Sequence, residues 1–367
     1  MRDGSLPDTA PHTEPVAPDE DLMPAPSASP LPGEHPTVAH GNTGILMVNL
    51  GTPDEPTYGA VRRYLAEFLS DTRVIEVPKL LWLPVLYGPI LTFRPAKAAA
   101  AYRRIWDHDK GESPLRTIAR DQAEDMQRRM GEKVPVVWAF RYGNPSIEQG
   151  LIELKKAGCD RILIAALYPH YSATTTASVH DAVFDVLKRM RWQPAIRTLP
   201  PYFDDPAYID ALKGSVEEEL AGLDFEPDRI IASYHSIPKS YWDNGDPYPC
   251  HCKKTSRLLK EAMGLPEGML DTTYQSRVGP TEWVGPYTDK YVEKIAEEGV
   301  KKLVVLAPAF SADCLETLEE INMELRDDFM EHGGTHFHYI KCLNATDRGM
   351  EMLEGLMRRE LKGWTEE

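Results

Sequence analysis

Short unbroken apolar runs alternate along this chain with longer stretches in which apolar positions recur every three or four residues. Runs of the first kind fit strands buried on both faces, and stretches of the second fit amphipathic helices. The strands predicted are Gly44–Gly51, Val134–Arg141, Arg161–Tyr168, Ala195–Leu199, Arg229–Ser233, Leu270–Gln275, Lys302–Phe310 and Phe337–Leu343. Helical periodicity fills most of the gaps, as in Ser146–Ala157, Thr176–Arg191, Tyr208–Gly222, Thr255–Met263 and Thr288–Glu298. Such alternation calls for parallel sheets covered by helices on both faces. Two successive sets of four strands predict two doubly wound α/β lobes of Rossmann type, over residues 43–190 and 191–344, with a cleft between them as the natural ligand site.

Two stretches break the pattern. Residues 1–42 are rich in Pro, Ala, Ser, Asp and Glu and read as a disordered tail. That tail lacks the apolar core of a secretory signal, and its acidic residues do not suit a mitochondrial leader. Pro78–Arg94 is apolar, aromatic and interrupted by prolines, so it cannot form one long helix. It is either a buried connection or an exposed apolar surface.

Composition narrows the function classes. A net charge of −16 over 367 residues, with no clustered Lys and Arg, argues against nucleic acid as a partner and against electrostatic adhesion to anionic lipid. Five cysteines without a framework spacing point to reduced thiols in the cytoplasm. Cys159 and Cys342 read as small core residues, and Cys250-His251-Cys252 lacks the second pair that a structural metal site requires. No apolar stretch is long enough to span a bilayer. Glycine-rich phosphate-binding spacings are missing too, so a nucleotide cofactor is not expected.

Candidate chemistry sits at two strand ends. His235 closes the run Arg229–Ser233 just before Pro238, and ligands in open α/β sheets collect beyond the carboxyl ends of strands. Read alone, it could equally be a hydrogen-bonded histidine that ends a strand. The run Lys302–Phe310 leads into Asp313, Cys314 and Glu316, and in a regular helix Glu316, Glu320 and Glu324 share one face. Such a row is either a solvated acidic face or a set of donors able to handle a divalent cation or its protons.

These motifs, with Gly44–Pro53, Ala139-Phe140-Arg141-Tyr142, Tyr168-Pro169-His170-Tyr171-Ser172, Tyr274-Gln275-Ser276-Arg277-Val278-Gly279 and Trp283-Val284-Gly285-Pro286, resemble the ferrochelatases, which insert ferrous iron into a porphyrin. The resemblance runs from about Gly44 to the C-terminus. It implies the two-lobed chelatase fold, with a last helix within 345–367 returning to the first lobe. It implies His235 and Glu316 as catalytic and metal-handling residues, and Asp313, Cys314, Glu320 and Glu324 as a path for protons or metal. By the same resemblance, Arg94, Lys97, Tyr102, Ser113, Arg141, Tyr142, Tyr168, Ser276 and Trp283 contact the porphyrin, with Arg94, Lys97 and Ser276 on its propionates. A salt bridge tying two loops is the other reading of Arg141. Residues 78–94 become an apolar lip that admits porphyrin and rests on a membrane.

Porphyrin and ferrous iron are thus the expected partners, with no cofactor beyond the iron substrate. A 2Fe–2S cluster is not expected, since Ala173 stands at a position where cluster-bearing members have cysteine and the terminal residues carry none. Cys314 departs from members that have a second histidine there, which puts a compulsory base at that position in doubt. Asn49-Leu50-Gly51 resembles the protoporphyrin-using branch rather than the coproporphyrin one. Competing readings are a chelatase for coproporphyrin III, or for cobalt and another tetrapyrrole, and a carrier that binds porphyrin without inserting metal. Oligomeric state is left open.

Overall fold

Among the described residues, eight parallel strands form two sheets of four, in the orders β2-β1-β3-β4 and β6-β5-β7-β8. The computed structural model describes residues 39–365, so the predicted tail lies almost wholly outside the described residues. In the first sheet β1 is Asn42–Gly51, β2 Val136–Tyr142, β3 Cys159–Ala166 and β4 Ala195–Thr198. In the second, β5 is Arg229–His235, β6 Leu270–Gln275, β7 Lys302–Leu306 and β8 His336–Ile340. Both sheets therefore share one wiring. Because β4 pairs with β3 from Arg161↔Ala195 to Ile164↔Thr198, the first sheet extends past residue 190, where the sequence pattern placed the lobe boundary.

Strand faces follow the two-residue period. Ile45 and Met47 of β1 join Ile230, Ala232 and Tyr234 of β5 in one core that runs between the sheets, whereas Leu46 and Val48 face the outer layer of the first sheet. Ile231 of β5 likewise turns to the outer layer of the second, beside Ile295, Ile321 and Leu325. Burial on both faces explains why the strands read as unbroken apolar runs.

Local chemistry moves several ends. β7 stops at Leu306, short of the predicted Phe310, because Pro308 has no N–H to give a neighbouring strand. β5 runs two residues past Ser233, since Tyr234 and His235 pair with Tyr274 and Gln275. Helix α9 (Tyr248–Met263) starts well before the predicted Thr255, its first N–H taken by the Asp246 carboxylate at 3.0 Å. The Cys-His-Cys triplet thereby lies inside a helix.

The proline-rich stretch forms α2 (Lys79–Val85), a π turn over Leu86–Ile90 and α3 (Leu91–Ile105), bent at Gly88 where ψ is −106°. It is not a buried connection: Leu80 is 87% exposed and Phe93 73%. Three further helices set the frame: α4 (Pro114–Met130), α7 (Pro206–Ala221) and α12 (Asp347–Leu361). Met350, Leu353 and Met357 of α12 join the shared core with Met126 and Met130 of α4, and Arg358 donates to the Arg129 carbonyl at 2.7 Å. Helix α12 thus returns to close the first lobe.

Candidate active site

The ends of β1 and β7 meet across the two lobes. Asn49 Nδ2 donates to Ser311 Oγ at 3.5 Å, and Gln122 of α4 donates to the Ser311 carbonyl at 3.3 Å. The loop from Ser311 to Leu315 is therefore fixed from both sides. Asp313 is its hub: Oδ1 accepts from Thr317 at 2.9 Å and Tyr339 at 2.7 Å, and Oδ2 from Asn344 at 2.7 Å. With its oxygens so engaged, Asp313 orients the turn rather than forming part of a path. Cys314 is also buried behind the site, and burial followed by the Glu316 charge pushes its thiol well up.

Glu316–Leu325 is a π-helix, where the sequence spacing predicts a regular one. Its i→i+5 bonds widen each turn, so residues four apart no longer lie directly above one another. The acidic group still holds together. Glu320 is pushed up to about 7, first by burial and then by Glu316, with smaller contributions from Glu319 and Glu324. Glu319, which the sequence reading did not single out, is buried and bonds Arg104 of α3 at 2.6 Å. Glu324, at the exposed end, lies 3.9 Å from the same guanidinium.

His235 ends β5 half-buried, in register with Gln275. It follows Ile231 and Ser233 on the face that the π-helix covers. Its Nδ1 lies 2.6 Å from the Ser236 carbonyl oxygen. A carbonyl only accepts, so Nδ1 carries the proton and Nε2 keeps its lone pair for a proton or a metal. From the other lobe, Tyr102 packs with Val61 and Trp106 against Leu315, and burial and then the Glu316 charge push its hydroxyl well up. Tyr102, Cys314, Glu316 and Glu320 are thus brought together.

Other candidates are spread around this centre. Trp283 is half-buried, bridges Pro238 beside the His235 loop and donates its indole N–H to the Val278 carbonyl at 2.9 Å. The Tyr168 hydroxyl is buried without a hydrogen-bond partner among the described residues. Arg94 and Lys97 lie exposed on α3, in no ion pair among the described residues. Ser276 Oγ donates to Glu320. Ser113 is buried and caps α4, accepting from the Arg116 N–H at 3.3 Å.

Arg141 and Tyr142 are committed elsewhere. Asp71 Oδ2 accepts from Arg141 Nη2 at 2.6 Å, the Tyr142 hydroxyl at 2.8 Å and Ser178 Oγ at 2.6 Å. The salt-bridge reading of Arg141 describes this geometry. The cluster clamps the segment that leads to the lip, and Tyr241 reinforces it from the second lobe, donating to the Val74 carbonyl at 3.0 Å and accepting from the Glu76 N–H at 3.1 Å.

His170 joins the lobes. It lies among Tyr208, Tyr234 and Tyr248, its Nε2 is 2.8 Å from Thr255 Oγ1, and burial followed by His251 lowers its pKa to about 3. His251 stacks on Phe203 at 3.6 Å, Cys252 is buried and Cys250 exposed, so the triplet does not converge on one point.

The family description "Ferrochelatase" matches residues 42–361. The chain is 54% identical over 338 residues to the ferrochelatase of Agrobacterium fabrum, covering 92% of this chain and 98% of that one. It is also 54% identical over 333 residues to the ferrochelatase of Rhizobium meliloti, covering 90% and 98%. Among solved structures, SirB from Bacillus subtilis with Fe3+ aligns with a TM-score of 0.52 at 13% identity, covering 88% of this chain and 96% of that chain. At that identity the likeness concerns the fold alone, a two-lobed chelatase architecture.

Proposed function

Because this chain belongs to the ferrochelatase family, we propose that it inserts Fe2+ into protoporphyrin IX, releasing two protons and forming protohaem, the last step of haem b synthesis. The observation that carries the reading is the free Nε2 lone pair of His235 on the sheet face covered by the π-helix that bears Glu316 and Glu320. Insertion must take two protons from pyrrole nitrogens, strip water from the metal and bring it to a ring that resists entry. His235 accepts a proton on the Nε2 lone pair that its Nδ1 contact leaves free. Glu316 handles the metal or the second proton. Glu320, poised at about 7, can then take a proton near neutral pH and pass it toward Glu324.

Porphyrin is a flat apolar disc with propionates on one edge. The lip and Trp283 supply apolar walls, and Arg94 and Lys97 supply free cations suited to carboxylates. Contacts distant from the metal hold the ring bent toward its transition state. No helix among the described residues is long and apolar enough to cross a membrane. We assign the protein to the cytoplasm, with reversible contact to the inner membrane face through residues 78–94. Leu80, Leu81, Tyr87 and Phe93 supply its exposed apolar surface.

The test is anaerobic metallation of protoporphyrin IX and, separately, coproporphyrin III, followed by loss of porphyrin fluorescence, with His235→Ala as control. Turnover on protoporphyrin that the substitution abolishes supports the proposal. Turnover confined to coproporphyrin, or to cobalt, reassigns the substrate, and tight binding without turnover makes the protein a carrier.

A further inference from the structure

Gln275 spans the two halves of the candidate site. It ends β6 opposite His235, it is buried, and its backbone carbonyl accepts from the Ser236 N–H at 2.8 Å. Its Nε2 donates to the backbone carbonyl of Glu316 at 2.8 Å, and its Oε1 accepts from Ser233 Oγ at 2.7 Å. Neither end can be reversed, because the Glu316 carbonyl only accepts, and so the amide nitrogen must face it.

That polarity propagates. Ser233 has one hydroxyl proton and spends it on Gln275, so in its 2.9 Å contact with Thr288 Oγ1 it accepts. Thr288 therefore accepts in turn from Thr273 Oγ1 at 2.8 Å. All three hydroxyl residues are buried. A one-way chain thus runs from β6 through the start of α10 (Thr288–Glu297) and β5 to the first residue of the π-helix.

We propose that the Gln275 carboxamide is a positioning residue that fixes the Glu316 carboxylate relative to His235, resting on the reading of those two as the groups that act on metal and proton. The π-helix does not need Gln275 to form. Its entry is held independently by Thr317, which accepts from the Cys314 N–H at 3.0 Å and donates to Asp313 at 2.9 Å. Removing the amide therefore shifts where the Glu316 backbone sits rather than unfolding the segment. Misplacement of a reacting group is felt in turnover more than in substrate binding.

The experiment compares wild type with Gln275→Met, which keeps length and bulk without an amide. It measures metallation kcat, porphyrin KM, equilibrium binding of metal-free porphyrin and thermal unfolding. The expected result is a kcat about tenfold or more below wild type, with porphyrin KM and binding within about threefold and a cooperative melt retained. Turnover within about twofold of wild type, or loss of turnover and porphyrin binding in parallel, overturns the inference. If Gln275→Met does not fold, Ser233→Ala frees the other end of the amide. A several-fold fall in its kcat at unchanged KM supports the inference, and unchanged kcat overturns it. A wild-type protein that metallates no porphyrin refutes the parent reading, whereas an active wild type with an unaffected variant refutes the role of Gln275 alone.

Discussion

Ser276 holds a left-handed backbone, φ 65°, and from it donates its hydroxyl to the Glu320 carboxylate. A residue with a side chain stays in that region only where its surroundings hold it there. The family resemblance gives the same hydroxyl to a porphyrin propionate. A propionate at that position would compete with Glu320 for the one hydroxyl proton.

Glu320 makes stability depend on pH in a defined direction. Burial and Glu316 raise its folded pKa to about 7, so between the ordinary carboxylate range and neutrality the folded protein holds a proton that the unfolded chain releases. Stability contributed by this group is full at acid pH, falls as pH rises through that window and is lost above it. Glu320→Gln should therefore gain on wild type, by on the order of 2 kcal/mol, between about pH 5 and about pH 8 in urea unfolding. A pH-independent difference would show Glu320 ionised throughout.

His235→Ala and Glu316→Ala should each cut metallation by about a hundredfold or more, as removal of a proton-transferring or charge-bearing group does. Cys314→Ala should keep most of its turnover, since the buried neutral thiol sits behind Glu316, and should cost about 1 kcal/mol of stability for the lost packing. Initial rates under anaerobic conditions check the order. A Cys314→Ala protein as inactive as His235→Ala would refute it.

The Arg104–Glu319 pair ties the helix after the lip to the π-helix. Glu319 is buried while Arg104 is half-exposed, so Arg104→Ala leaves a buried carboxylate without its partner. We expect a loss of about 1 to 3 kcal/mol, reduced by solvent reaching the arginine, and partial recovery when Glu319→Gln is added. Denaturant midpoints of the single and double variants give the coupling.

Replacing Leu80, Leu81 and Phe93 together by Ser should abolish sedimentation with neutral phosphatidylcholine vesicles and change the melting temperature little, because all three already face solvent. Unchanged vesicle binding would mean that another surface makes the contact.

Much of this architecture is legible in the sequence because strands buried on both faces leave short, β-branched apolar runs between turn residues. Lys302–Leu306 shows this, and even its end is marked by Pro308. His235 is legible as a strand-end residue, and Glu316 as an acidic residue in the segment that follows a strand. The acidic row was harder to read. Spacing of four suggests a regular helix, and nothing local distinguishes the wider π turn. Glu319 was missed because its partner lies 215 residues away in sequence. Arg141 shows the opposite difficulty: its motif is plain, but Asp71, the acceptor that holds it, stands in an unremarkable turn.

The helix that closes the first lobe is synthesised only after the whole second lobe. All four strands of the first sheet exist once residue 198 has been made, yet the apolar side chains around Met126 and Met130 wait for Met350, Leu353 and Met357. A nascent chain on the ribosome therefore carries an uncovered first lobe while the whole second lobe is translated. Damage to Met350, Leu353 or Met357 is in turn felt in the first lobe, where the lip is rooted.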